Sequence, residues 1–243
     1  MSRQSINPAA LPRVGKPFEG GFYAGRIYFD GQEHALVDAG RDHELAAAWW
    51  DKEGPRPNIR GACSCHDGRA NTRAMAEAGS AIAAQVLGMS IRGFDDWHLP
   101  ALEELQLMRA NLCQLPKWEV WYSHQGPGGP EQAFCHSEYW SSTQRTAGGA
   151  WAVTMRNWNN SCSNWGFKVK GIRPIRSVPI KPFEFIHEPA GDGRDQGAGA
   201  RPGNRDAVVA VVERFVNEDS GRFYGRATDF VDALVGTAGP RHA

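Results

Sequence analysis

Strand-forming residues frame a turn near the start of the chain. Phe22, Tyr28, Phe29, Leu36 and Val37 flank Asp30-Gly31, a dipeptide suited to positive φ, and predict a hairpin over residues 21–37. Ala46–Trp50 is apolar and either ends that hairpin or begins a loop, and the Pro-, Gly- and Asn-bearing stretch Pro55–Asp67 reads as a loop. The period then changes. Met75, Ala78, Ile82 and Val86 recur at three- and four-residue steps and predict a helix over Asn71–Leu87, with Asn71 as N-cap and Gly88 as the stop. A second helix is expected from Pro100 to Leu112. Its apolar stripe is Leu102, Leu105, Met108 and Leu112, while Glu103 and Glu104 complement the N-terminal dipole. Asp95 and Asp96, just upstream, read in the same way, as capping and dipole compensation rather than a hydrolytic carboxylate pair.

From Trp118 to Arg176 short aromatic or β-branched runs alternate with Gly- or Asn-rich stretches. The runs Tyr139–Thr143, Trp151–Met155, Gly166–Val169 and Ile172–Ile175 predict antiparallel strands with long loops. Five glycines between Glu188 and Asn204 mark a linker by composition. Beyond it, Val208, Val212, Phe215 and Val216 predict an apolar helix over Asp206–Glu218, and Phe230, Val231, Leu234 and Val235 a shorter one. The expected organisation is an N-terminal extension at 1–17, an α+β domain with two helices and mixed or antiparallel strands at 18–188, a Gly-rich linker at 189–204 and a helical tail at 205–243. Two short helices bury no core by themselves, so the tail is expected to dock on a partner.

Composition narrows the function classes. The 243 residues carry 27 Lys+Arg and 27 Asp+Glu, so the formal net charge is zero and partners held by bulk charge, nucleic acid or anionic membrane, are not expected. No run approaches the roughly 20 apolar residues of a membrane helix. The first residues lack an apolar h-region, so no secretory signal is expected. Five Cys, an odd number, suit reduced thiols or a virion component released by lysis. Cys63-Ser64-Cys65-His66 lacks the spacing and second ligand pair of a structural zinc site and reads as a turn, so neither metal nor cofactor is expected.

Three stretches in combination carry a resemblance: Gly93–Leu105 with its Asp96-Trp97-His98-Leu99-Pro100 centre, Tyr139-Trp140-Ser141-Ser142-Thr143, and Ala150–Val153 followed by Val169–Arg176 ending Arg173-Pro174-Ile175-Arg176. Their order and spacing resemble the Lcl C-terminal domain family, whose fold is C-type-lectin-like. The likeness spans residues 18–178. Members include bacterial and phage surface-binding modules and variable proteins of diversity-generating retroelements. The resemblance implies a rigid scaffold that presents the loops 144–149 and 156–165 as a ligand face, with Trp97, Trp140 and Trp151 in the core. The expected contact residues are Gln144, Arg145, Arg156, Asn157, Trp158, Asn159, Asn160, Ser161, Ser163, Asn164 and Trp165. Asn and Ser offer adaptable hydrogen bonds and Trp offers rigid contact area, a combination suited to pyranose rings or to a protein surface. The plain alternative is a solvated connection whose two Trp return to the core.

Trp158-Asn159-Asn160 is similar to the calcium motif of C-type lectins, but Asn160 stands where a carboxylate is needed and no partner motif follows, so no calcium site is expected. The expectation is a non-catalytic binding protein of a phage or prophage tail. It would contact a host-surface carbohydrate or protein, and join other virion proteins or further copies of itself through the C-terminal tail. The alternatives are a formylglycine-generating-enzyme-like oxidase, for which Cys162 stands without a second late Cys, and a retroelement variable protein.

Overall fold

The computed structural model describes residues 5–55, 57–122, 128–155 and 162–182. The chain divides into two units, Met1–Phe185 and Ile186–Ala243. The expected linker and helical tail lie outside the described residues. The first unit is α+β, and among the described residues it holds three α-helices and two sheets.

The first sheet has the order β1-β2-β3-β9, formed by β1 (Pro17–Phe18), β2 (Gly21–Phe29), β3 (Gln32–Asp38) and β9 (Ile175–Pro179), all antiparallel. Its central hairpin is the expected one. Asp30 at φ 52° and Gly31 at φ 73° make the turn, the left-handed pair that matches strand twist. Residues 5–16, expected as an extension, are tied to this sheet at their start: Ile6 N–H donates to the Pro179 carbonyl at 2.8 Å and Lys181 N–H to the Ile6 carbonyl at 2.7 Å.

The second sheet has the order β4-β8-β5-β6-β7, from β4 (Leu45–Ala48), β5 (Glu138–Thr146), β6 (Gly149–Thr154), β7 (Cys162–Trp165) and β8 (Val169–Ile172). All its pairings are antiparallel except β5 with β8. Residues 45–48, left open between hairpin and loop, are therefore the edge strand β4. The strand expected at 166–169 begins only at Val169, and the one expected at 172–175 is cut in two. Pro174 has no N–H for a ladder, so the chain leaves the second sheet after Ile172 and enters the first at Ile175.

The single helix expected over Asn71–Leu87 is two helices, α1 (Gly68–Glu77) and α2 (Ala81–Leu87). Gly79 at φ +97° ends the first, and Ser80 caps the second while its hydroxyl donates to the Trp49 carbonyl at 3.3 Å. The apolar period survives the break because Met75, Ile82 and Val86 enter the same core cluster; Ala78 at the corner is exposed. The cap of α1 is Asp67, not Asn71. Asn71 is buried inside the helix, where its amide accepts from Ser64 N–H and donates to the Ser64 carbonyl and to Ser142 Oγ.

Helix α3 (Leu102–Leu112) buries Leu105, Met108 and Leu112 as expected, but begins two residues after Pro100. Glu104, expected to complement the helix dipole, is fully buried. Its carboxylate accepts from Ala101 N–H at 2.8 Å, from Gly68 N–H at 3.2 Å and from Ser177 Oγ at 2.8 Å. Asp96 is also no cap: it pairs with Arg69 at 3.0 Å and with Arg176, whose guanidinium lies 3.9 Å from the Phe94 ring. Of the three Trp expected in the core, Trp97 and Trp140 are fully buried and Trp151 is half-buried; Trp49 and Trp118 join the core instead.

Arg173 is wholly buried, 3.2 Å from the Glu44 carboxylate and 3.8 Å from that of Asp38, and it donates to the carbonyls of Gln132 and Ala133. One guanidinium thus faces two carboxylates. Burial, only partly offset by Arg173, pushes Asp38 up to about 6. Replacing Arg173 by Met strands both carboxylates without their cation and is expected to cost about 3–5 kcal/mol, read by urea denaturation. Because the folded pKa of Asp38 exceeds its unfolded value, folding takes up a proton between roughly pH 4 and 6. Stability from this group is therefore full below that window and is lost as pH rises through it. Asp38→Asn is expected to flatten that slope, measured as unfolding free energy against pH.

Candidate functional site

Of the expected contact residues, Gln144, Arg145 and Trp165 are described with their side chains, and these three lie at one end of the second sheet. Strand β5 runs through Gln144 and Arg145 to Thr146, so these two are strand residues rather than members of a loop, and neighbours in a strand point to opposite faces. Gln144 points inward and is 5% exposed. Its side chain accepts from Ile59 N–H at 2.6 Å and donates to the Pro57 carbonyl at 2.8 Å. The ligand role expected for Gln144 therefore gives way to a structural one: its amide fastens the 57–59 loop to β5. Arg145 points outward, exposed, with its guanidinium 4.5 Å from the Trp151 ring centre.

Strand β7 takes in part of what the sequence suggests is one long loop. Its register on β6 sets Gly149 opposite Trp165 and Trp151 opposite Ser163. Residues opposite one another in an antiparallel pair share a face, and so do alternate residues of one strand. Trp151 and Trp165 thus lie on the face that also carries Val153. Val153 is buried in the cluster of Leu105 and Met108, beneath α3, and Arg109 of that helix donates to the Thr154 carbonyl at 3.3 Å. Two residues further along, the same face emerges at Trp151, which is half-buried.

Trp165 is 46% exposed there, and Phe167 and Val169 on the approach to β8 are 64% and 69% exposed. These three account for most of the large exposed apolar side chains among the described residues. Trp50 stands behind them, half-buried, its N–H donating to the Gly166 carbonyl at 3.0 Å. Gly166 leaves no slack for a side chain: a Cβ would meet the Gly148 carbonyl at 3.1 Å and Trp50 at 3.3 Å. Arg156, Asn157, Trp158, Asn159, Asn160 and Ser161, together with the side chains of Cys162, Ser163 and Asn164, lie outside the described residues. The described part of the site offers rigid aromatic faces beside a guanidinium held over a ring, an arrangement worth about 0.5–1 kcal/mol at an exposed position.

A second group of chemistry-bearing residues was invisible to spacing arguments. Ser177, His98 and Glu104 come together from β9, the 98–101 segment and α3. They do not form a nucleophile relay. The same His98 nitrogen, Nε2, faces both the Ser177 hydroxyl at 3.4 Å and the Glu104 carboxylate at 3.6 Å, and the hydroxyl already donates to that carboxylate. A relay needs the base to bridge nucleophile and acid through its two nitrogens. All three side chains are also closed to solvent.

Cys63, Cys65, Cys113 and Cys135 are free thiols. Burial pushes Cys113 up to about 12, which keeps it protonated and unreactive. Among the described residues no three His, Cys, Asp or Glu side chains are grouped so as to hold a metal ion.

Inward and outward residues of β5 should separate cleanly under denaturation. Gln144→Leu leaves the buried Ile59 N–H without its acceptor and is expected to cost about 1–3 kcal/mol, whereas Arg145→Ala is expected to change stability by less than about 0.5 kcal/mol. No protein-family model matches the chain, and no curated protein matches it either.

Proposed function

We propose that the chain is a non-catalytic binding protein whose domain belongs to the C-type-lectin-like architecture of the Lcl C-terminal domain family, and that it recognises a surface carbohydrate through the Trp151–Trp165 end of its second sheet. One observation carries this reading: Trp165 and Phe167 are open to solvent on a sheet end whose interior side is tightly bonded, beside a guanidinium stacked on Trp151. Exposed aromatic side chains grouped on a rigid scaffold mark contact sites, since isolated monomers rarely leave such groups uncovered. Aromatic faces stack on the apolar side of a sugar ring, and the donors of Arg145 suit its hydroxyls. The resemblance supplies the family and, with it, the setting of a phage or prophage tail meeting its host. The fold supports the family reading in outline through its mixed sheets and helices, and through the buried roles of the residues in the three motif stretches.

The test is a printed glycan array probed with labelled full-length chain, followed by calorimetry on the best binder. Trp165→Ala is expected to weaken binding about tenfold or more, with the unfolding midpoint shifted by less than about 2 °C. Trp140→Ala, by contrast, opens a core cavity and is expected to cost about 3–5 kcal/mol. Undiminished glycan binding in Trp165→Ala would remove this face from the reading. Capture of a proteinaceous ligand in place of any glycan would keep the face and change the ligand class.

A further inference from the structure

On another part of the first unit, a cleft of about 290 Å³ opens between α1, the end of α2 and the 93–97 segment, lined by Arg69, Arg73, Leu87, Asp95, Asp96 and Trp97. Its four charges divide into an inner and an outer pair. The inner pair is committed: Arg69 donates to the Asp96 carboxylate at 3.0 Å and to the Asp96 carbonyl at 2.9 Å, and the other Asp96 oxygen takes Arg176. The outer pair is not. Arg73, one turn beyond Arg69 on α1, and Asp95, beside Asp96, are both exposed, and among the described residues neither makes a hydrogen bond or ion pair.

Among the described residues, a cation and an anion outside any ion pair therefore line the same cleft as the closed Arg69–Asp96 pair, Trp97 and Leu87. A simple anion entering to pair with Arg73 would also face the Asp95 carboxylate, and a simple cation attracted to Asp95 would face the Arg73 guanidinium. The lining sums to zero charge. A ligand carrying both charges a few ångströms apart satisfies both walls at once. The volume, at the small end of ligand sites, suits a molecule of metabolite size.

We infer that this cleft binds a small zwitterion, the class of a free α-amino acid, with the carboxylate on Arg73, the ammonium on Asp95 and an aliphatic side chain against Leu87. The site is separate in its residues from the aromatic sheet end, so either can stand without the other.

Calorimetry or ligand-observed NMR on the full chain tests it with four probes: L-leucine, glycine betaine, 4-methylpentanoate and 3-methylbutylamine. Leucine is expected to bind saturably within about 10 mM, ten times a 1 mM dissociation constant, while its deaminated and decarboxylated counterparts bind about tenfold or more weakly. Betaine binding as tightly as leucine would assign the quaternary zwitterions; leucine alone would assign the amino acids, whose ammonium can donate hydrogen bonds. Arg73→Ala and Asp95→Asn, both at exposed positions, are each expected to weaken leucine binding about tenfold or more with the fold intact by circular dichroism. Trp165→Ala is expected to leave it unchanged. No saturable binding of either zwitterion, or equal binding of the two singly charged analogues, overturns the inference, as does leucine binding that survives both substitutions.

Discussion

The architecture depends on one buried carboxylate. Glu104 sits in the first turn of α3 and takes three donors from three separate pieces of chain: the start of α1 at Gly68, the start of α3 at Ala101 and the hydroxyl of Ser177 on β9. A buried carboxylate is tolerated only when its oxygens are filled, and filling them fixes where those pieces meet. Gly68 is the visible cost of that convergence. A Cβ there would stand 2.3 Å from Glu104 Oε2 and 2.5 Å from the Leu99 carbonyl, so only glycine lets the helix approach. Helix α3 is thereby tied to β9 and packs against β2 of the first sheet and β5 and β6 of the second, while α1 packs against β5.

The two arginines of Arg173-Pro174-Ile175-Arg176 complete the connection between the sheets. Pro174 breaks the ladder at the crossing, and the arginines on either side of it serve different neighbourhoods. Arg173 faces the inner carboxylates of Asp38 and Glu44, and Arg176 packs on Phe94 and closes on Asp96. The Ser141-Ser142-Thr143 run works in the same spirit. Its hydroxyls reach the carbonyls of Trp151, Pro100 and Ser64, so a polar stretch becomes one of the more enclosed parts of the sheet.

Elements with a strong period were readable from sequence, and elements decided by partners were not. The 21–37 hairpin and the stripe of α3 follow from local rules, and the structure agrees with both. The break at Gly79 was hidden because Met75, Ile82 and Val86 keep a helical rhythm across it, although Gly79-Ser80 is an ordinary stop-and-cap pair. Glu104 and Asp96 read in the sequence as cap and dipole charges at a helix start; only tertiary donors show that these carboxylates are fixed by other parts of the chain. The resemblance places Gln144 in the 144–149 loop, whereas the backbone of residues 57–59 supplies the partners that let it go inside. The strand that carries Trp165 is not legible in the sequence, since the polar run Cys162–Asn164 has little intrinsic strand preference and owes its conformation to pairing with β6.

The alternation at the end of β5 has an evolutionary consequence. Gln144 and Arg145 are adjacent in sequence yet belong to different worlds: one is stitched into the frame, the next stands free above Trp151. A chain built in this way can revise its outward positions, 145 and 165, while the inward bonds that hold the frame go untouched. Surface chemistry and foldability then become nearly independent variables, and selection can search one without endangering the other.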